Sequence, residues 1–313
     1  MKKTIVNFVI LCSFGLITAC STTTIDERPI DNYAIDFSST TSRAAIQDDF
    51  PQGSSFSVWG WYVNQNLQTN NVFDNTEVKL TESGWGYIGT QYWNPNSTYS
   101  FYAVHPSKIG SVSSDGVVKI EGFDCSATGD NAVDLMTATS ANISYTGGTM
   151  DPVNLEFAHE LSSIKFNVKV QDGLSATVTE AKLYGVNYKG DYDSSKNPVW
   201  QNTIINNAND TKFIYSPENP QPLTAEGIPN IFSDILIIPN DDIENVVFQL
   251  TYYYDEYSEM PLVKNIAVKQ TNIPSWLKGQ VYNYTATIGP NNIQFKPVVT
   301  PWGQSTGGII TVE

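Results

Sequence analysis

Arginine is almost missing from this chain. Arg28 and Arg43 are its only two, and none stands anywhere in residues 44–313. Positive charge is scarce altogether: lysine and arginine total 17 against 32 aspartates and glutamates, for a net charge of −15. A surface of that sign repels phosphate backbones, which argues against nucleic acid as a partner. Histidine is short too, with His105 and His159 alone. The stretch "HELSS" at 159–163 begins like the zinc-protease pattern H-E-x-x-H, but Ser163 occupies the place of the second histidine. One histidine without a cysteine cluster does not build a structural zinc site. His159 is therefore expected to pack or hydrogen-bond locally. No Gly-Lys phosphate loop occurs. No catalytic residue, metal ligand or cofactor is assigned, and an enzyme is not the expectation.

Cysteine is limited to Cys12, Cys20 and Cys125. The opening "MKKTIVNFVILCSFGLITAC" has two lysines, an apolar stretch too short to span a bilayer, and small residues before Cys20. Ile17-Thr18-Ala19-Cys20 resembles a bacterial lipobox, which makes residues 1–19 a signal peptide and Cys20 the lipidated N-terminus. An ordinary signal with an incidental cysteine is the alternative. Each buried acyl methylene adds about 0.8 kcal/mol, so a multiply acylated cysteine anchors firmly. Cys12 then leaves with the signal and Cys20 carries lipid. Cys125 is left alone, so no intrachain disulfide forms although the compartment is oxidising. It reads as a small core or loop residue, with no base beside it in sequence.

Long helical periodicity and fixed-length repeats are also absent. What is present is short β-rich stretches punctuated by Asn, Gly, Pro and Ser, in a chain that is 41% hydrophobic and 16% charged. Residues 20–31 read as a polar tether. "NYAIDF" alternates, which predicts a half-buried strand with Tyr33, Ile35 and Phe37 inside. A polar loop, "SSTTSRAAIQDDFPQGSS", follows and holds Arg43. From Phe56 onward strands come at roughly 8–12-residue spacing, as in a sandwich. A break near Gly147–Asp151 divides the chain into an N-terminal domain at 32–150 and a C-terminal domain at 151–313. "SSIKFNVKV" places Ile164, Phe166, Val168 and Val170 on one face. "EFAHEL" before it reads as a bend or a short helical turn. "TYYYDEY" reads as a strand with both faces covered.

Other polar and aromatic features carry two readings each. Asp191 and Asp193, and the acidic "NDDIEN" at 240–245, are either calcium contacts or solvated turns; neither fits the twelve-residue calcium loop. Carboxylates are too many to single out a glycosidase pair. Trp59, Trp61, Trp85, Tyr87, Tyr92, Trp93, Tyr99 and Tyr102 crowd the N-terminal half. They are either stacking faces for sugars or the filling of a sandwich.

Five stretches in order resemble the bacterial fimbrillin family, lipoprotein subunits of type V pili. They are "FSVWGWYV", "WGYIGTQYWNPNSTYSFYAVHP", "DLMTATS", "LEFAHELSSIKFNVKV" and "WLKGQVYNYTATIGPNNIQFKPVVTPW". The resemblance spans nearly the whole mature chain. It implies an all-β fold of two transthyretin-like β-sandwich domains in tandem. It also implies export to the outer membrane and cell surface, then cleavage by an arginine-specific protease after the first strand. Removal of that strand opens a groove that a strand of the next subunit fills. The physical basis is strand addition to an edge with unpaired backbone groups and an apolar slot.

Arg43 lies where such a cut falls, and a body without arginine survives the protease. Codon bias is the other explanation for the missing arginines. The C-terminal "GGIITVE" at 307–313 is a donor-strand candidate in a polymerising subunit; in a tip or a monomer it completes its own sheet. The expected function is thus a non-enzymatic fimbrial subunit, structural or adhesive. Its partners would be other subunits, the outer membrane, and host or bacterial surface ligands. The alternative is a monomeric surface lipoprotein that binds glycans.

Overall fold

The structure is a computed structural model and describes residues 33–41, 50–224, 226–257, 260–271 and 273–302. The protein is all-β: the described residues form strands and three short 3₁₀ turns, with no α-helix among them. Alternation in sequence sets most of these strands. Ile164, Phe166 and Val168 are buried while Lys165 and Asn167 are half-buried, as a strand with one inward face requires. Tyr282, Tyr284, Ala286 and Ile288 repeat the pattern.

The largest sheet has seven strands, in the order β1 (Phe37–Thr41), β9 (Val153–His159), β8 (Met136–Tyr145), β5 (Ser97–His105), β2 (Ser55–Val63), β3 (Thr69–Thr81) and β4 (Gly84–Tyr87). A second has the order β15 (Ile235–Ile237), β10 (Ser162–Val170), β18 (Gln280–Ile288) and β19 (Ile293–Pro301). The third runs β14 (Phe213–Tyr215), β11 (Ala176–Tyr184), β16 (Val247–Tyr254), β17 (Leu262–Ala267). The fourth is β13 (Trp200–Ile205), β12 (Asn187–Asp193), β7 (Val118–Asp124), β6 (Ser111–Val112).

Pairing changes sheet between β9 and β10, at Glu160–Leu161, whereas the break in sequence composition at 147–151 lies in the connection from β8 to β9. The fourth sheet joins strands from both halves: Gly190 pairs with Phe123 and Tyr192 with Ile120. Among the described residues, three buried clusters result. One fills the seven-stranded sheet around Phe56, Phe101 and Phe157. Another lies between the second and third sheets around Phe166, Phe248 and Tyr284. The third draws on both halves, with Trp59, Tyr102, Tyr192 and Ile238.

Three local expectations change. Of the two readings open for "EFAHEL", the helical turn drops out because strand β9 continues through His159, and the bend is found, at Leu161. The strand in "TYYYDEY" stops at Tyr254, and Asp255–Tyr257 form a 3₁₀ turn. The first strand starts at Phe37 and not at Asn32, and Tyr33 is 55% exposed while Ile35 and Phe37 are buried.

Candidate functional site: the edge segment at residues 33–41

The segment 33–41 sits between two flanks. On one side β1 runs parallel to β9, from Phe37 opposite Val153 to Thr41 opposite Phe157. The Val153 amide donates to the Asp36 carbonyl at 2.8 Å and extends that ladder backward. On the other side the residues after β4 hold the start of the segment. The Ile35 amide donates to the Gln91 carbonyl at 2.8 Å, and the Trp93 amide donates to the Tyr33 carbonyl at 3.0 Å. The Tyr87 hydroxyl donates to the Ile35 carbonyl at 2.7 Å. Burial pushes that hydroxyl's pKa up, so it stays a donor. The segment is therefore held between β9 and the stretch from Tyr87 at the end of β4 to Trp93.

Its side chains are set into aromatic rings. Phe37 meets Phe73 at 5.3 Å, Phe101 at 5.7 Å, Tyr87 at 5.9 Å and Phe56 at 6.5 Å between centroids, all edge to face. Such contacts add about 0.5–1.5 kcal/mol each beyond area burial. Ile35 is fully buried beside them. Gly60 leaves room for the rings: a Cβ there would stand 2.9 Å from Phe101 and 3.0 Å from Phe73.

Arg43 comes two residues after the last residue of β1 and lies outside the described residues, as do Cys20 and residues 307–313. Cys125 is buried, and its thiol donates to the Tyr188 carbonyl at 3.2 Å. Burial pushes its pKa up to about 12, which suppresses the thiolate.

The two histidines are held by neighbours. His105 Nδ1 donates to the Ser55 carbonyl at 2.9 Å, and burial lowers its pKa. His159 Nδ1 donates to Asp134 Oδ2 at 2.5 Å, and its ring stacks on Trp302 at 4.0 Å and 6°. Glu160, the second letter of "HELSS", is only 2% exposed. It bonds Lys278 Nζ at 2.8 Å through Oε2 and accepts from Thr137 at 2.8 Å through Oε1. Nothing in the sequence pairs Trp302 with His159, Tyr87 with Ile35 or Lys278 with Glu160, because these partners are distant along the chain.

The carboxylates of the two acidic stretches close turns and sheet contacts. Asp191 accepts from the Gly122 amide and from Asn202, each at 2.7 Å. Asp193 accepts from the Ser195 hydroxyl at 2.6 Å, and Asp242 from the Glu244 amide at 2.7 Å. Among the described residues, no group of three or more His, Cys, Asp or Glu converges as metal ligands would. Of the eight aromatics named in the N-terminal half, Tyr92 alone is exposed; the others are buried or half-buried. That is the arrangement of a sandwich filling. Among the described residues no helix is long and apolar enough to cross a membrane.

A family model described as fimbrillin-like matches residues 42–302. The fold is similar to that of a fimbrial protein from Bacteroides vulgatus, with TM-score 0.57, 14% identity, and 87% of this chain and 100% of that one covered. It is also similar to a candidate cell adhesion protein from Bacteroides ovatus, with TM-score 0.56, 12% identity, and 86% and 98% covered. A third similar structure, a candidate cell adhesion protein from Bacteroides uniformis, has TM-score 0.52, 14% identity, and 87% and 100% covered. At these identities the likeness concerns the fold alone. Among curated proteins, none matches the sequence.

Proposed function

The chain belongs to the fimbrillin-like family, and from that premise we propose that it is a non-enzymatic structural subunit of a surface fimbria. In this reading it is exported as a lipoprotein acylated at Cys20 and reaches the outer membrane and cell surface. Cleavage at Arg43 then severs the segment 33–41 from the body, and a strand of another subunit takes its place. The outgoing strand is residues 307–313. The two sandwich units meet at the β9–β10 junction, where pairing changes sheet.

One observation carries the reading. The segment just ahead of Arg43 is held on both sides by backbone bonds and fills an apolar slot with Ile35 and Phe37. An edge strand of this kind is a separable part. Losing it exposes unpaired amides and carbonyls on β9 together with an apolar groove, and a new strand satisfies both. The likeness of the fold to a fimbrial protein supports the same class of role.

The test is limited proteolysis of the folded precursor with an arginine-specific protease, followed by intact mass and assembly on the cell surface. A single early cut at Arg43 is expected, with residues 44–313 resistant. Arg43→Ala should abolish assembly and Arg28→Ala should not. Normal fimbriae from Arg43→Ala would overturn the maturation step and leave codon bias to explain the missing arginines.

A further inference from the structure

The slot that holds residues 33–41 is shaped for a particular strand, and that shape bears on which chain can fill it. This inference rests on the strand-exchange reading above. The pocket under Phe37 is lined by Phe56, Phe73, Tyr87 and Phe101, which present edges and faces to a ring at its centre. Gly60 in the neighbouring β2 has no side chain, so Phe73 and Phe101 can close on the space. Two residues earlier Ile35 is fully buried, and Asp36 between them is exposed. The slot therefore asks for an apolar residue, any residue, then an aromatic one, on a strand running parallel to β9.

The chain's own C-terminal segment does not supply this. Residues 303–313 read GQSTGGIITVE and contain no Phe, Tyr or Trp. Placing Ile310 in the site of Ile35 puts Val312 in the site of Phe37; placing Ile309 there puts Thr311 under the rings. Either leaves a void among four aromatic side chains, and underfilled core sites are costly because the surroundings collapse only in part. Trp302, the aromatic nearest that segment, is stacked on His159.

We infer that the slot selects a donor strand with an apolar-x-aromatic pattern from a different subunit, and discriminates against the tail of a second copy of this chain. The pocket under Phe37 is the specificity determinant. The subunit would then accept from one kind of partner and donate to another, which sets an order of assembly.

The experiment uses the full chain with a sequence-specific protease site placed within residues 44–49, so that it does not depend on cleavage at Arg43. The cut, folded protein is incubated with labelled peptides and binding is read by fluorescence anisotropy, with the uncut chain as control. The peptides are residues 33–41, the same peptide with Phe37→Val, and residues 305–313. The native-sequence peptide should exchange into the cut chain and not into the uncut one. The Phe37→Val peptide and the tail peptide should bind about tenfold or more weakly. Equal binding of the Val or tail peptide would overturn the specificity and leave strand exchange standing. Failure of even the native-sequence peptide to exchange into the cut chain would overturn the slot reading itself, and the specificity with it.

Discussion

At the scale of single residues, burial decides chemistry. Cys125 has a thiol whose pKa is raised to about 12 from 9.0, with desolvation as the main cause. The folded state therefore keeps a proton that the unfolded chain gives up above about pH 9. Its contribution to stability is intact below that pH and falls as pH rises toward 12, by up to about 1.4 kcal/mol per pH unit. Tyr252 acts in the same direction, raised to about 12 by burial, and begins one unit higher, near 10. Urea unfolding under reducing conditions should show a loss of stability between pH 9 and 10, and Cys125→Ala should flatten it. In native buffer Cys125 should resist alkylation until the protein unfolds. Burial of Cys125 was one of the two readings open in the sequence, since no neighbouring base there marks it as an activated thiol. The partner of its thiol, Tyr188, was not legible, because it comes from β12 far along the chain.

At the scale of elements, alternation was readable and its limits were not. The inward residues of β10, and the strand character of the chain as a whole, follow from period two. The same rule placed Tyr33 inside with Ile35 and Phe37, and there it failed. Tyr33 lies in a turn ahead of the single bridge from Ala34 to Tyr92, so no continuous ladder fixes its side chain inward. This contrast is measurable. Phe37→Ala should cost about 3–5 kcal/mol, as for an aromatic deleted from a core. Tyr33→Ala should fall within about 0.5 kcal/mol. Both values come from chemical unfolding of the uncut chain, and a large loss in Tyr33→Ala would show that the segment is anchored further upstream than described. The two flanks of the segment could not be read in advance. Nothing local to Ile35 announces that the hydroxyl of Tyr87 and the carbonyl of Gln91 will meet it.

At the scale of the whole molecule, the change of sheet at Glu160–Leu161 is held by a polar seam. Glu160 is buried, and Lys278 reaches it from the stretch before β18. Thr137 donates to it from β8, and burial, then Glu160 itself, raises the pKa of Tyr192. Lys278→Met should leave the carboxylate with too few partners. Since half of the lysine side chain is in water, the loss should be about 1–2 kcal/mol rather than the full cost of breaking a buried pair. Adding Glu160→Gln should recover much of it, and a double-mutant cycle by denaturant unfolding reads the coupling. In sequence, "HELSS" looked like a fragment of a metal motif; its glutamate instead joins the two halves, because the fold brings Lys278 across to it. The two-flanked segment at 33–41 has a mechanical side as well. Tension transmitted along the strand axis through the residues ahead of Tyr33 loads the pairs to β9 and those to residues 91–93 together, in shear. No pair can open singly as in peeling. While the chain beyond Thr41 is continuous, that segment is a grip that resists a tug at its leading end with both flanks at once. Once that continuity is broken, the same segment becomes a part that can slide free.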